Sequence, residues 1–143
     1  MKLRRGDPAD CAAIAELWFA SWTSSQPERP TITRVDLAER ARTELRGRWE
    51  VIVAEGDGRL LGFLALAPDE NRLDQLFVAP DAQRRGIGKR LLNAAKQRLA
   101  DGFWLSADAS NKRAMSFYEK EGLTLKRVEP SGANTKMVYA FEP

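Results

Sequence analysis

The sequence predicts an α+β fold: a single domain whose central sheet is mixed but largely antiparallel and is flanked by helices. Three observations carry this expectation. Two strand-like runs in "WEVIVAEGDGRLLGFLALA" are separated by "EGDG", where Asp-Gly readily supplies the positive φ angles of a tight hairpin. Apolar residues at helical spacing occur both before and after these runs. Finally, strand patterns at 72–78 and 103–107 flank a helical pattern, so those two strands should run parallel through a right-handed crossover. No repeat, low-complexity tract or linker interrupts the 143 residues, a length that buries a full core without disulfides or structural metal.

Each element follows from local sequence. "DPADCAAIAELWFASW" offers Asp7 as a cap, Pro8 at the first helical position, and Ile14, Leu17, Trp18, Ser21 and Trp22 at helical spacing. Residues 23–32 hold two prolines among small polar residues and predict a loop, followed by an amphipathic helix over roughly 34–46. After the hairpin and the strand "RLDQLFV", "APD" breaks the chain. The next helix carries Ile87, Leu91, Leu92, Ala95 and Leu99 along one face. "GFWLSAD" reads as a short buried strand, and "SNKRAMSFYEKEG" as a helix capped by Ser110 or Asn111 and ended at Gly122 in a left-handed conformation. "LTLKRVE" and "TKMVYAF" close the chain as a hairpin turning at "PSGAN".

Composition narrows the chemistry. No apolar run approaches the roughly 20 residues that span a bilayer, so no membrane partner is expected. "MKLRRGDPAD" lacks the apolar stretch of a secretory signal, which points to the cytoplasm. One cysteine, Cys11, rules out an internal disulfide and a cysteine-based zinc site, and it reads as small-residue packing rather than as a nucleophile. Histidine is absent, which removes the commonest metal ligand and the usual general base. No metal is expected, and catalysis is left to carboxylates, tyrosine, hydroxyls or backbone. A net charge of +3 is too small to mark a nucleic-acid protein, and the basic stretch lacks interleaved aromatics, so no nucleic-acid partner is expected.

That basic stretch, "QRRGIGKRLL", sets Gly86 and Gly88 at a helix start among Arg84, Arg85, Lys89 and Arg90. Glycine costs about 1 kcal/mol against alanine inside a helix, so the pair needs a compensating reason. A strand-to-helix loop of this kind exposes backbone N–H groups at the positive end of the helix dipole, where a phosphate can approach the peptide chain. The spacing is neither that of a Walker loop nor that of a dinucleotide fingerprint.

The longer stretch "LDQLFVAPDAQRRGIGKRLLNAAK" resembles the pyrophosphate-binding motif of GCN5-related N-acetyltransferases, with Gln83, Gly86 and Gly88 matching position by position. About thirty residues on, "ASNKRAMSFYEKEGL" resembles that family's second motif, and the likeness is sharp over residues 50 to 125. It implies acetyl-coenzyme A as donor and an amine as acceptor. The implied coenzyme contacts are the amides and side chains of Gln83, Arg84, Arg85, Gly86, Ile87, Gly88 and Lys89, the backbone of Leu76, Phe77 and Val78, and Asn111. Asn111 also reads as a plain helix cap. Tyr118 matches the residue that often protonates the departing thiolate, while Phe117 reads as packing. The likeness implies an acceptor pocket from the first two helices, their loop and the later hairpins, here Trp18, Trp22, residues 23–34 and Tyr139. Dimers are common in the family; the sequence itself carries no oligomeric signal.

Reference pKa values constrain the mechanism. Complete proton transfer from a tyrosine near 10 to a thiolate near 8.5 is uphill by about 2 kcal/mol, so Tyr118 should act through a hydrogen bond or only as the C–S bond breaks. A lysine-like amine near 10.4 needs roughly 4.6 kcal/mol to lose its proton at pH 7, and an α-amino group near 7.8 needs about 1. Asp74 is the candidate base and an acceptor contact, with Glu70 as an alternative acting through water; Asp74 also reads as an exposed strand-edge charge. Direct attack in a ternary complex is expected. The alternative is a non-catalytic acyl-coenzyme A module, for which Tyr118 and Asp74 would be dispensable.

Overall fold

The structure, a computed structural model, describes residues 1–25 and 32–143. Its elements are β1 (Lys2–Arg5), α1 (Cys11–Ser25), α2 (Arg34–Arg46), β2 (Glu50–Gly56), β3 (Arg59–Ala67), β4 (Arg72–Val78), α3 (Ile87–Arg98), β5 (Phe103–Asp108), α4 (Lys112–Lys120), β6 (Thr124–Ser131) and β7 (Asn134–Phe141). The strands form one seven-stranded sheet in the order β1-β2-β3-β4-β5-β7-β6, antiparallel throughout except for the β4–β5 pair. The expected α+β class and the parallel crossover are both present.

Local chemistry explains most boundaries. Asp57 and Gly58 adopt φ 54° and 72°, the paired left-handed conformation that closes the β2–β3 hairpin. Asp7 caps a short 3-10 turn at Pro8–Asp10 by accepting from the Ala9 N–H, and α1 follows directly. The helix runs on through Ser25, past the start of the expected loop, whose remainder lies mostly outside the described residues. Thr33 and Asp36 form a reciprocal capping box on α2. The last hairpin turns on Gly132 and Ala133 alone, so its strands are longer than expected.

The sheet is covered on both sides. On β3, Phe63 packs edge-on against Trp18 of α1 at 6.2 Å, while at the neighbouring Gly62 a Cβ would meet Leu91 and Ile87 of α3. Adjacent strand residues face opposite ways, so α1 and α3 lie on opposite faces. Trp18, Trp49, Phe63 and Phe77 form one aromatic cluster beneath α1.

Two irregularities in β4 position the site. Its pairing with β5 is confined to Arg72↔Trp104, where the Trp104 N–H donates to the Asn71 carbonyl at 3.0 Å; beyond that point the two strands share no ladder. Against β3, pairing steps from Leu66↔Leu73 to Ala65↔Gln75, which leaves Asp74 as the inserted residue of a β-bulge. Among the described residues, no helix is long and apolar enough to cross a membrane.

Candidate functional site

Beyond the bulge, alternation decides which peptide groups of β4 are available. The Ala79 N–H donates to the Leu61 carbonyl at 2.8 Å, and the register Phe63↔Phe77 continues that hydrogen-bonded set. The N–H and C=O groups of Leu76 and Val78 therefore point away from β3, into the gap beside β5. Phe77 uses its own peptide groups on Phe63 and sends its ring into the aromatic cluster, which removes it from the expected backbone contacts. The Val78 carbonyl is also engaged: Ser21 Oγ donates to it at 3.1 Å and Gln83 Nε2 at 3.3 Å. Open along this edge, among the described residues, are the two N–H groups of Leu76 and Val78 and the Leu76 carbonyl. An arm bearing amide and carbonyl groups can pair with that pattern as an added strand would.

The glycine-rich loop leads from this edge into α3. Arg84 and Gly86 hold φ 68° and 78°, and Gly86 occupies the cap position with no side chain to serve the helix start. The first internal bond of the helix end is Arg90 N–H to Gly86 O at 3.1 Å; among the described residues, no acceptor takes the N–H groups of residues 84 to 89. This is the set of exposed donors at the positive end of a helix that favours an anion. At Gly86 an added Cβ would meet nothing within 4 Å, and at Gly88 it would make ordinary contacts with Phe117 at 3.6 Å and Val78 at 3.7 Å. Glycine at 88 is therefore not required by the protein's own packing. A ligand lying against the helix start supplies the reason, so the residues fit a diphosphate. Arg85 pairs with Asp57 at 3.1 Å on the surface, Lys89 is exposed, and Ile87 turns its side chain into the core.

The second motif stands beside the first, since Phe117 of α4 is the wall that a Gly88 side chain would touch. Asn111 accepts from the Ala114 N–H at 3.1 Å, so its oxygen caps α4 as its plain reading expects. The adjacent Tyr118 is buried, its ring 5.3 Å from Phe117 and 6.1 Å from Tyr139. Burial alone pushes the Tyr118 phenol well above its ordinary 10. Tyr139 donates to Glu119 Oε2 at 2.6 Å.

Asp74 departs from its reading as an exposed strand-edge charge. Its side chain is only 6% exposed, so it is no surface charge. Its Oδ2 accepts from Trp49 Nε1 at 2.7 Å and from Arg48 Nη2 at 2.8 Å, while Arg72 Nε faces Oδ1 at 3.4 Å. Two hydrogen bonds and a facing guanidinium thus tie this carboxylate to its neighbours. Glu70 is likewise ion-paired, to Arg48 at 2.9 Å. Arg48, Trp49 and Ser21 were not among the expected site residues. Their partners lie 22 to 57 residues away in the chain, and no local pattern signals such pairing.

Two expected pocket residues belong elsewhere. Trp18 and Tyr139 are core side chains, at 1% and 0% exposure. Trp22 is half-buried near the end of α1, beside the undescribed residues 26–31. Cys11 packs against α2, its Sγ 3.8 Å from the Ala38 carbonyl.

Comparison with known proteins agrees with this geometry. A profile of the Acetyltransferase (GNAT) family matches residues 11–123. The peptidyl-lysine N-acetyltransferase YiaC of Escherichia coli is 35% identical over 121 residues, covering 84% of this chain and 81% of that protein. An uncharacterized N-acetyltransferase of Bacillus subtilis, YhfO, is 31% identical over 85% of this chain and 89% of its own length. Among solved structures, the PaiA N-acetyltransferase of Thermoplasma acidophilum in complex with coenzyme A superposes with a TM-score of 0.76 at 20% identity, covering 98% of each chain. The chain belongs to the acetyltransferase (GNAT) family and is an N-acetyltransferase that uses acetyl-coenzyme A.

Proposed function

We propose that the α3 amino-terminus and the open edge of β4 together hold acetyl-coenzyme A, and that a primary amine attacks its thioester directly in a ternary complex. The observation that carries this reading is the continuous run of N–H groups from residue 84 to 89 that have no acceptor among the described residues, beside the Leu76 and Val78 peptide groups. The first set binds the diphosphate, with Arg84, Arg85 and Lys89 adding charge; the second aligns the pantetheine arm. A Leu76 or Val78 N–H directed at the thioester carbonyl stabilises the charge that develops on its oxygen.

The rest of the chemistry follows from which groups hold protons. As the amine nitrogen forms its bond to the acetyl carbon, the C–S bond breaks, the sulfur leaves as thiolate, and the nitrogen sheds its extra proton to water. Tyr118 retains its proton at neutral pH because burial disfavours the phenolate, so it serves the sulfur by donating a hydrogen bond. Asp74 and Glu70 are both committed to Arg48, so the acceptor enters as the neutral amine or gives its proton to water.

A peptide lysine is the acceptor this reading favours, because the YiaC relative is named for that substrate. Trp22, half-buried near the end of α1, stands on the acceptor side. Use of acetyl-coenzyme A as donor favours a cytoplasmic setting.

The test combines calorimetric titration of acetyl-coenzyme A with a thiol-release assay over lysine peptides, amino-terminal peptides and small amines. Saturable binding plus turnover with at least one class is expected. Binding without turnover across the whole panel would favour the non-catalytic acyl-coenzyme A module instead.

A further inference from the structure

We propose that Arg48 and Trp49 are positioning residues for the coenzyme: by gripping Asp74 they hold the β4 bulge that decides which peptide groups face the gap beside β5. This rests on the coenzyme reading above, yet neither residue lies in the glycine loop or on the open edge.

Parity carries the inference. Below the bulge, Asn71 directs its carbonyl to Trp104 of β5, so odd-numbered residues face that side. Above it, Ala79 directs its N–H to Leu61 of β3, so there the even-numbered residues face β5. One inserted residue, Asp74, makes the change. If the lower register of Leu66↔Leu73 and Ala67↔Arg72 continued without it, Phe63 would oppose Leu76, and the Leu76 and Val78 peptide groups would turn into the ladder with β3. The edge that the pantetheine arm needs would then present Gln75 and Phe77 instead.

A bulge persists when something holds the extra residue, and here that is a buried charge. Slipping the strand by one residue would carry the Asp74 carboxylate away from its two hydrogen-bond donors, leaving a nearly buried anion poorly compensated. Trp49 Nε1 and Arg48 Nη2 meet on the single oxygen Oδ2, both projecting from the connection between α2 and β2. Arg48 is itself fixed by ion pairs to Glu44 and Glu70, so the grip does not depend on one flexible side chain. The Trp49 ring also packs 5.5 Å from Trp18 and 6.3 Å from Phe63, which sets the direction of its N–H.

The experiment compares two ligands on each variant: acetyl-coenzyme A, and 3′-phosphoadenosine 5′-diphosphate, which keeps the diphosphate but has no pantetheine arm. Trp49→Phe keeps an aromatic ring and removes the donor; Arg48→Gln, at a more exposed position, makes the same comparison if the tryptophan variant does not fold. Asp74→Asn keeps an acceptor oxygen, and Asp74→Leu does not. In Trp49→Phe and Arg48→Gln, affinity for acetyl-coenzyme A should fall about tenfold or more, with affinity for the fragment held within about twofold. Asp74→Asn should lose less than Asp74→Leu. Equal losses for both ligands, or no loss for either, overturn the proposal. So does a pattern in which Asp74→Asn is the most damaging change to turnover while Trp49→Phe matches the wild type, since that is the signature of a base. If the unaltered protein binds the fragment but not acetyl-coenzyme A, the coenzyme reading fails before the variants are compared.

Discussion

Ser21 Oγ donates to the Val78 carbonyl across 3.1 Å, tying the buried face of α1 to the last residue of β4. Gln83 donates to the same oxygen from the glycine-rich loop at 3.3 Å. One carbonyl thus joins α1, the edge of β4 and the glycine-rich loop. Ser21→Ala alone leaves that oxygen served by Gln83, so a loss of about 1 kcal/mol in stability is expected. Removing both donors strands the carbonyl. Urea denaturation of the two single variants and the double variant should show a loss exceeding the sum by about 1 kcal/mol. Strict additivity would mean that the two bonds are independent.

Gly88 and Gly86 should behave differently. An alanine at 88 finds only ordinary contacts and improves helix propensity, so melting temperature should hold or rise while acetyl-coenzyme A affinity falls at least about tenfold. An alanine at 86 must adopt φ 78°, so there a stability loss of about 1 kcal/mol accompanies the binding defect. Calorimetry with a parallel thermal melt separates the two effects. An unchanged affinity in Gly88→Ala would show that the ligand does not approach the helix start at that residue.

Tyr118→Phe removes a hydroxyl that makes no hydrogen bond among the described residues, so stability should change little. Turnover should fall roughly 100-fold if the phenol assists the leaving sulfur. The raised pKa also fixes the sign of the pH dependence. Tyr118 stays protonated through and beyond pH 10, so it supplies no alkaline fall in rate below that point. With a lysine acceptor, kcat/KM should keep climbing through pH 9 as the amine deprotonates, whereas an α-amino acceptor should level off near pH 8.

Alkaline stability depends on the neighbouring phenol. Burial, then the bond to Glu119, raises the Tyr139 pKa to about 12. A group whose folded pKa exceeds its unfolded value of about 10 contributes stability that is complete below pH 10 and is lost between pH 10 and 12. Thermal melts across that range should fall steeply, and Tyr139→Phe should flatten the decline while lowering stability at pH 7 through loss of its bond to Glu119.

The elements with strong periodicity were legible in the sequence, and so was the glycine loop, because glycine pairs and apolar spacing are local signals. β1 was not: Lys-Leu-Arg-Arg shows no apolar alternation, and the strand exists only because β2 offers it an edge. The bulge at Asp74 was invisible for a related reason. An acidic residue in a strand reads as surface, and only the fold brings the Arg48 and Trp49 side chains to it. Trp18 and Tyr139 were expected at the acceptor pocket because the family likeness sets that pocket on the elements that carry them. Their size makes them good core fillers, and the two uses have one sequence signature.

The most direct test is the response of individual backbone amides to acetyl-coenzyme A, followed by two-dimensional ¹⁵N NMR. Saturable shifts at Gly86, Ile87, Gly88 and Lys89, and at Leu76 and Val78 but not Phe77, are the predicted result. Saturation that leaves those six resonances in place, with the changes clustered elsewhere on the sheet, would contradict the assignment of the donor site.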